Sequence, residues 1–191
     1  AVKLEMLKQV VEAKSRRLSA RWTVEAQTDA QNQYGVDVEE ELLAAVAQDI
    51  TVEIDQEILR SLRSLPPTPT AANTFDQSAV SGQATSVVDE FAALAVLIGR
   101  EANRIAVRTR RGKGNWAVVS PTILTVLESA RASAFARTTE GSFDAPTNNK
   151  YVGTLNNSMR VYVDNYADDD TPVLIGYKGS SEVDAATFYC P

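Results

Sequence analysis

The sequence NWAVVSP, residues 115–121, and the later stretch KYVGTLNNSMRVYVDNYADDDTPVLIGYKG, residues 150–179, decide the fold of this chain. Short runs rich in β-branched and aromatic side chains predict strands in both stretches. The predicted strands cover residues 116–119, 151–155, 159–163 and 173–177. The pair Asn156-Asn157 favours a tight hairpin turn between the second and third of them. A hairpin among helical segments indicates an α+β domain rather than a regular βαβ series.

The clearest helix predicted upstream of these strands covers residues 38–64. Asp37 is suited to cap its N-terminus, and Pro66 and Pro67 follow its end. Its apolar stripe comprises Leu42, Val46, Ile50, Ile54, Ile58 and Leu62, backed by Leu43, Ala47 and Leu65. At 1.5 Å per residue this helix would be roughly 40 Å long, well above the average length in globular proteins. We interpret it as a spine against which the sheet lies, because the heptad pattern of a coiled coil is weak.

Three further helices are predicted from their caps and apolar periodicity. The first covers residues 24–34 and is ended by Gly35. The second is capped by Ser86 and ends near Thr109, and the third follows the Ser120-Pro121 pair and ends near residue 130. The remaining segments are a strand or ribbon near the N-terminus, a Pro-rich linker at 66–85 and a surface loop at 131–149.

The amino-acid composition excludes several kinds of catalytic and metal-binding site. The 191 residues contain no histidine and one cysteine, and they carry a net charge of −6. Without histidine, Ser-His-Asp triads, histidine general bases and histidine metal sites are excluded. The acidic balance disfavours a general attraction to nucleic acid, and no apolar run reaches membrane-spanning length. We therefore predict a structural or binding protein with no enzyme activity, no cofactor and no membrane partner.

The first candidate site is a basic surface at the end of the helix predicted from Ser86 to about Thr109. It comprises Arg100, Arg104, Arg108, Arg111 and Lys113. The loop suggests phosphate binding, but a phosphate-binding loop reads G-x-x-x-x-G-K-[ST] and joins a strand to a following helix. Here glycines flank Lys113 on both sides, a helix precedes and a strand follows, so the order is reversed. Because arginine pairs with carboxylates as well as with phosphates, we favour salt bridges between subunits. The alternative is a nucleotide- or nucleic-acid-binding module that uses residues 108–115.

An acidic turn is the second candidate site. It comprises Asp168, Asp169 and Asp170, with Asp164 shortly before them. The spacing lacks the glycine and glutamate of a calcium-binding EF-hand loop, so a solvated acidic turn is the better interpretation. We hypothesise that this turn meets the basic surface of a neighbouring subunit.

Taken in order, three segments resemble the major capsid proteins of T-even-like tailed phages, which have the Hong Kong 97 phage fold. The segments are VEAKSRRLSARWTVEAQTDAQNQYGVDVEEELLAAVAQDITVEIDQEI from Val11, GREANRIAVRTRRGKGNWAVVSP from Gly99, and YVGTLNNSMRVYVDNYADDDTPVLIGYKGSSEVDAATFYCP from Tyr151. They cover well over half of the chain with their spacing preserved, which is more specific than any short motif.

The resemblance implies a structural shell subunit that self-assembles into hexameric capsomers around packaged DNA, which it contacts only indirectly. It assigns residues 1–83 to a peripheral domain with the spine helix, and residues 84–191 to an axial domain. It implies vertex, scaffold and decoration proteins of the head as partners, and a place in the virion shell after assembly in the host cytoplasm. It also predicts that the N-terminal arm, extended loop and closing strands of the family lie outside these 191 residues.

Overall fold

A computed structural model describes residues 12, 15–67, 70, 73–76, 87–129, 135–137, 149–181 and 187. The helices are α1 (Val24–Tyr34), α2 (Val38–Ser64), α3 (Val87–Thr109) and α4 (Pro121–Ser129). The strands are β1 (Trp116–Val119), β2 (Phe135–Arg137), β3 (Asn149–Leu155), β4 (Met159–Asp164) and β5 (Leu174–Gly176). The chain divides into two compact units, residues 1–50 and residues 51–191. None of the described helices has the length and apolar character needed to cross a membrane.

The helix boundaries follow from local capping chemistry. The Thr23 side chain accepts a hydrogen bond from the Ala26 amide at the start of α1, and Gly35 ends this helix at a φ of 68°. The Asp37 carboxylate accepts a hydrogen bond of 2.9 Å from the Glu39 amide at the start of α2. These bonds satisfy amides that have no partner within the helix, and glycine adopts positive φ without steric cost. The helices predicted at 24–34 and 38–64 are confirmed.

The strands of the second unit form one mixed sheet with the order β2-β3-β4-β1-β5. The neighbours β1 and β4 are parallel, whereas the other adjacent strands are antiparallel. The hairpin between β3 and β4 is confirmed, because Asn156 and Asn157 have positive φ angles of 52° and 53°. Both are central residues of a turn closed by the Ser158 amide and the Leu155 carbonyl, as a type I′ turn requires. The prediction of mixed helices and strands, an α+β fold, is confirmed at this level.

The sequence-based prediction of a surface loop at 131–149 is wrong in two places. Residues 135–137 form β2, which pairs antiparallel with β3, and β3 itself begins at Asn149. Pairing with a strand that lies more than ten residues further along the chain supplies the hydrogen bonds, so local composition does not show it. The strand or ribbon expected before α1 lies mostly outside the described residues, and residues 15–23 form no strand. The expected Ser86 cap also lies outside the described residues.

The sheet is covered on both faces. Along β1, Ala117 and Val119 pack into a core with Leu94, Ile98 and Ala102 of α3 and Leu127 of α4. The alternate residues Trp116 and Val118 pack with Leu59 of α2 on the other face. Because successive side chains of a strand point to opposite faces, β1 contributes to both cores. Residues 51–64 of α2 therefore act as the predicted spine for this sheet.

The predicted apolar stripe of α2 needs correction. Leu42, Val46, Ile50, Ile54, Ile58 and Leu62 are half-buried, whereas Leu43, Ala47 and Leu65 are exposed. The one fully buried residue in the described helix is Leu59, at 5% exposure, and the stripe did not include it. The helix face that packs against the sheet is therefore centred nearer to Leu59 than the predicted stripe is. Several neighbouring faces of α2 are apolar, and tertiary packing decides which of them is buried.

Replacing Leu59 by alanine is expected to lower the free energy of unfolding by about 2–4 kcal/mol, since it opens a cavity between α2 and the sheet. Leu65→Ala is the matched control, because Leu65 is 57% exposed and its change is expected to be within about 0.5 kcal/mol. Urea denaturation of the 191-residue chain measures both. Equal effects of the two substitutions would contradict the packing described.

Candidate functional site

The last turn of α3 and the loop to β1 carry a cluster of cations, which we call the basic end. It comprises Arg108, Arg110, Arg111 and Lys113, all of them exposed. The Gly114 amide donates to the Ala102 carbonyl at 3.0 Å, so the chain has returned to the level of Ala102 when β1 begins. Helix α3 continues from Ala102 to Thr109, roughly 10 Å at 1.5 Å per residue. The basic end therefore projects beyond the sheet, where cations also complement the helix dipole.

Two of the five predicted basic residues have a partner within the same helix. The Arg104 guanidinium donates two hydrogen bonds to the Glu101 carboxylate, at 3.0 and 3.1 Å. Arg100 Nε lies 3.5 Å from the same carboxylate. The helix face predicted from Arg100, Arg104 and Arg108 thus also contains the negative charge of Glu101. The net positive charge of this face is therefore concentrated near Arg108, towards the C-terminus of α3.

The Gly-Lys-Gly sequence is explained by packing. A Cβ on Gly112 would lie 2.5 Å from the Tyr177 ring, and one on Gly114 would lie 2.9 Å from Ile175 Cγ2. The amides of Gly114 and Asn115 donate to the carbonyls of Ala102 and Gly176, so neither is directed at a ligand. A phosphate-binding loop needs such amides to converge on the anion, and here two of them are used inside the fold. The loop is a helix-to-strand connection closed against β5.

The basic end is also tied to the β3–β4 turn. Lys113 Nζ donates a hydrogen bond of 2.9 Å to Ser158 Oγ, although 45 positions separate the two residues in the sequence. Asn115 fixes the other side, because its side chain both accepts from the Lys178 amide and donates to the Lys178 carbonyl. The loop therefore holds its cations on a backbone anchored to two other segments.

Asp168, Asp169 and Asp170 form an exposed turn after β4, as predicted. The Thr171 amide donates to the Asp168 carbonyl at 2.9 Å and closes this turn, which we call the acidic turn. The Asp169 carboxylate accepts a hydrogen bond from the Thr122 hydroxyl in the first turn of α4. Within the described residues, no three His, Cys, Asp or Glu side chains are grouped so as to hold a metal ion.

The basic end and the acidic turn lie at opposite ends of the sheet. In the parallel pair β1 and β4, Trp116 is opposite Arg160 and Val119 is opposite Val163. The basic end immediately precedes β1, whereas the acidic turn follows β4. Since parallel strands point the same way, the two clusters are separated by the length of this pair.

Asp164 is the residue that sequence analysis placed wrongly. It was grouped with the solvated acidic turn, yet its side chain is fully buried at the end of β4. Its carboxylate lies 3.0 Å from the Arg63 guanidinium and accepts hydrogen bonds from Gln56 Nε2 at 2.9 Å and from the Tyr166 amide at 3.1 Å. A buried carboxylate needs such partners, because an unpaired charge in the interior is costly. Asp164 therefore joins α2 to the sheet.

A signal for this contact exists in the sequence of α2. Gln56, Leu59 and Arg63 follow one another at spacings of three and four, so they share one face of the helix. Two polar side chains that bracket the most buried leucine suggest a buried polar partner.

The chain is similar over nearly its whole length to phage major capsid proteins. The family model described as Major capsid protein Gp23 matches residues 1–191. A major capsid protein of Vibrio phage KVP40 is 34% identical over 198 residues, covering 96% of this chain and 38% of the relative. The major capsid protein of Enterobacteria phage T4 is 34% identical, with coverage of 96% and 38%. That of Salmonella phage ViI is 31% identical, with coverage of 100% and 44%. The chain thus spans less than half the length of these relatives.

Replacing Asp164 by alanine is expected to lower the free energy of unfolding by about 3 kcal/mol, because it leaves the Arg63 guanidinium without its partner in a mostly buried position. Asp170→Ala removes the same charge from an exposed position in the acidic turn and is expected to change stability by about 0.5 kcal/mol or less. Chemical denaturation compares the two variants. If Asp164→Ala is as stable as Asp170→Ala, the structural role of the buried carboxylate is refuted.

Alanine substitutions at two glycines test the origin of the Gly-Lys-Gly sequence. Gly114→Ala should destabilise by about 1–3 kcal/mol through overpacking against Ile175 and the Ala102 backbone. Gly99→Ala, within α3, should stabilise by about 0.5–1 kcal/mol, since the nearest atom to its new Cβ is Asn156 Nδ2 at 3.6 Å. Thermal unfolding reports both signs. An unchanged stability for Gly114→Ala would show that packing does not explain this glycine.

Proposed function

The chain belongs to the Gp23 family of major capsid proteins, and from this premise we propose that it forms part of the self-assembling shell of a tailed-phage head. The observation that carries the proposal is the match of the family model to the whole of residues 1–191. The relatives are themselves named major capsid proteins, and 96–100% of this chain aligns with them. Its role is therefore structural, and its work is repeated association with further copies.

We propose hexameric capsomers as the unit of assembly and the Hong Kong 97 phage fold as the architecture. The mixed sheet packed against α2 on one face and against α3 and α4 on the other is compatible with that fold. The division into a peripheral domain at 1–83 and an axial domain at 84–191 belongs to the same proposal. Repeated contacts of this kind bury large interfaces with polar rims.

The partners follow from the same proposal. They are other copies of the chain and the vertex, scaffold and decoration proteins of the head, with packaged DNA contacted only indirectly. The net charge of −6 supports an indirect relation to DNA, since a phosphate-binding surface needs an excess of cations. The place of action is the virion shell, reached after assembly in the host cytoplasm.

The alternative function, a nucleotide- or nucleic-acid-binding module at 108–115, has less support. The two glycines of the loop accommodate Tyr177 and Ile175, and the amides of Gly114 and Asn115 are bonded within the fold. The remaining cations could attract phosphates by charge alone. Such binding would be salt-dependent and would need no particular loop geometry.

The proposal predicts that a full-length capsid protein carrying residues 1–191 is the most abundant protein of purified phage heads. Quantitative mass spectrometry of particles that withstand nuclease and protease treatment measures this directly. Electron microscopy of the purified protein should show hexamers or closed shells. Absence of the sequence from the particles, together with salt-dependent DNA binding by the isolated protein, would instead favour the alternative.

A further inference from the structure

The basic end and the acidic turn each contain two exposed charged side chains that form no ion pair or side-chain hydrogen bond within the described residues. Two of them, Arg108 and Arg110, belong to the basic end, and the other two, Asp168 and Asp170, belong to the acidic turn. Arg104 and Asp169, which lie close to them in sequence, are bonded to Glu101 and Thr122. Each cluster therefore presents a pair of like charges without a partner, one pair at either end of the same sheet.

These two pairs cannot neutralise each other within one copy. The paired positions from Trp116–Arg160 to Val119–Val163 separate them, which is roughly 13 Å at about 3.3 Å per residue. That distance exceeds the Debye length of about 8 Å at physiological ionic strength. Each cluster therefore acts as an independent surface charge, and the second unit has one positive and one negative end.

On the basis of the proposed function, we propose that the basic end of one copy docks onto the acidic turn of the next copy, in a head-to-tail contact around the capsomer. Guanidinium and carboxylate groups form charge-assisted, often bidentate hydrogen bonds. A head-to-tail contact uses one cluster from each copy and leaves the other cluster available for a further copy. Heterologous contacts of this type close into rings when the rotation between copies permits it.

The fold holds both clusters in place before contact. The basic end is anchored by the Gly114–Ala102 and Lys113–Ser158 hydrogen bonds. The acidic turn is anchored through Asp169 to Thr122, and it follows directly on the buried Asp164. Anchored backbones lose less conformational entropy on association. Charge pairs at such an interface therefore contribute more to the free energy of association than pairs between mobile surface side chains do.

A second copy fits these observations better than nucleic acid does. A nucleic acid would use the basic end alone and would leave the exposed aspartates at the other end of the sheet without a partner. A copy of the same chain uses both clusters and needs no other source of charge.

A charge-swap experiment in the full-length capsid protein tests the contact. One variant carries Arg108→Glu and Arg110→Glu, another carries Asp168→Lys and Asp170→Lys, and a third carries all four substitutions. The matched control carries Arg17→Glu and Arg60→Glu, two exposed arginines outside both clusters. Analytical ultracentrifugation at several salt concentrations measures the association constant, and circular dichroism verifies that each variant is folded.

Each two-site variant is expected to associate about tenfold more weakly than the unsubstituted protein, and the four-site variant to return to within about threefold of it. The control variant should associate as the unsubstituted protein does. Folded two-site variants that match the control, or a four-site variant as weak as the two-site ones, would overturn the head-to-tail contact. Closed dimers in place of rings would overturn it as well. An unsubstituted protein that does not self-associate would contradict the proposed function itself, and the contact with it.

Discussion

The buried carboxylate of Asp164 fixes the relation between residues 51–64 of α2 and the sheet. Its side chain is buried away from water. The ion pair with Arg63 and the hydrogen bonds from Gln56 and the Tyr166 amide replace the lost hydration. An interior charge tolerates few alternative arrangements, because any shift of α2 along or around its axis would leave the carboxylate without partners. The apolar contacts of Leu59 are less selective, since neighbouring apolar rows of α2 could also cover the sheet.

This constraint determines how the second unit presents its surfaces. With α2 fixed on one face and α3 and α4 on the other, the parallel pair β1 and β4 is held between two layers. The loops that enter and leave that pair then lie at opposite ends, one basic and one acidic. Both loops are attached to the fold by hydrogen bonds from other segments. A shell protein needs such fixed surfaces, because every contact is repeated in every copy.

Features that depend on neighbouring residues in the chain could be predicted from the sequence. The ends of α1 and α2 depend on Thr23, Gly35 and Asp37, which act within one turn of themselves. The β3–β4 hairpin depends on Asn156 and Asn157, whose side chains tolerate positive φ. Three segments of the sequence, taken in order, resemble major capsid proteins, and the family match over residues 1–191 agrees with that resemblance.

Features that depend on distant partners could not be predicted in the same way. The strand β2 exists because β3 pairs with it, and the glycines of the basic loop are needed because Tyr177 and Ile175 approach them. Asp164 resembled its exposed neighbours in sequence, and only the arrival of Arg63 and Gln56, about a hundred positions earlier, makes its burial possible. In each case the deciding atom belongs to another element, so the sequence around the residue itself does not reveal the contact.

The coupling free energy between Arg63 and Asp164 tests the central claim most directly. A double-mutant cycle of Arg63→Met, Asp164→Leu and their combination, followed by urea denaturation, isolates the interaction from the separate costs of each change. The account predicts a coupling of at least about 1.5 kcal/mol, with the double variant more stable than the sum of the single effects implies. Additive effects within about 0.5 kcal/mol would show that the two residues do not act together, and the attachment of α2 to the sheet would need another explanation.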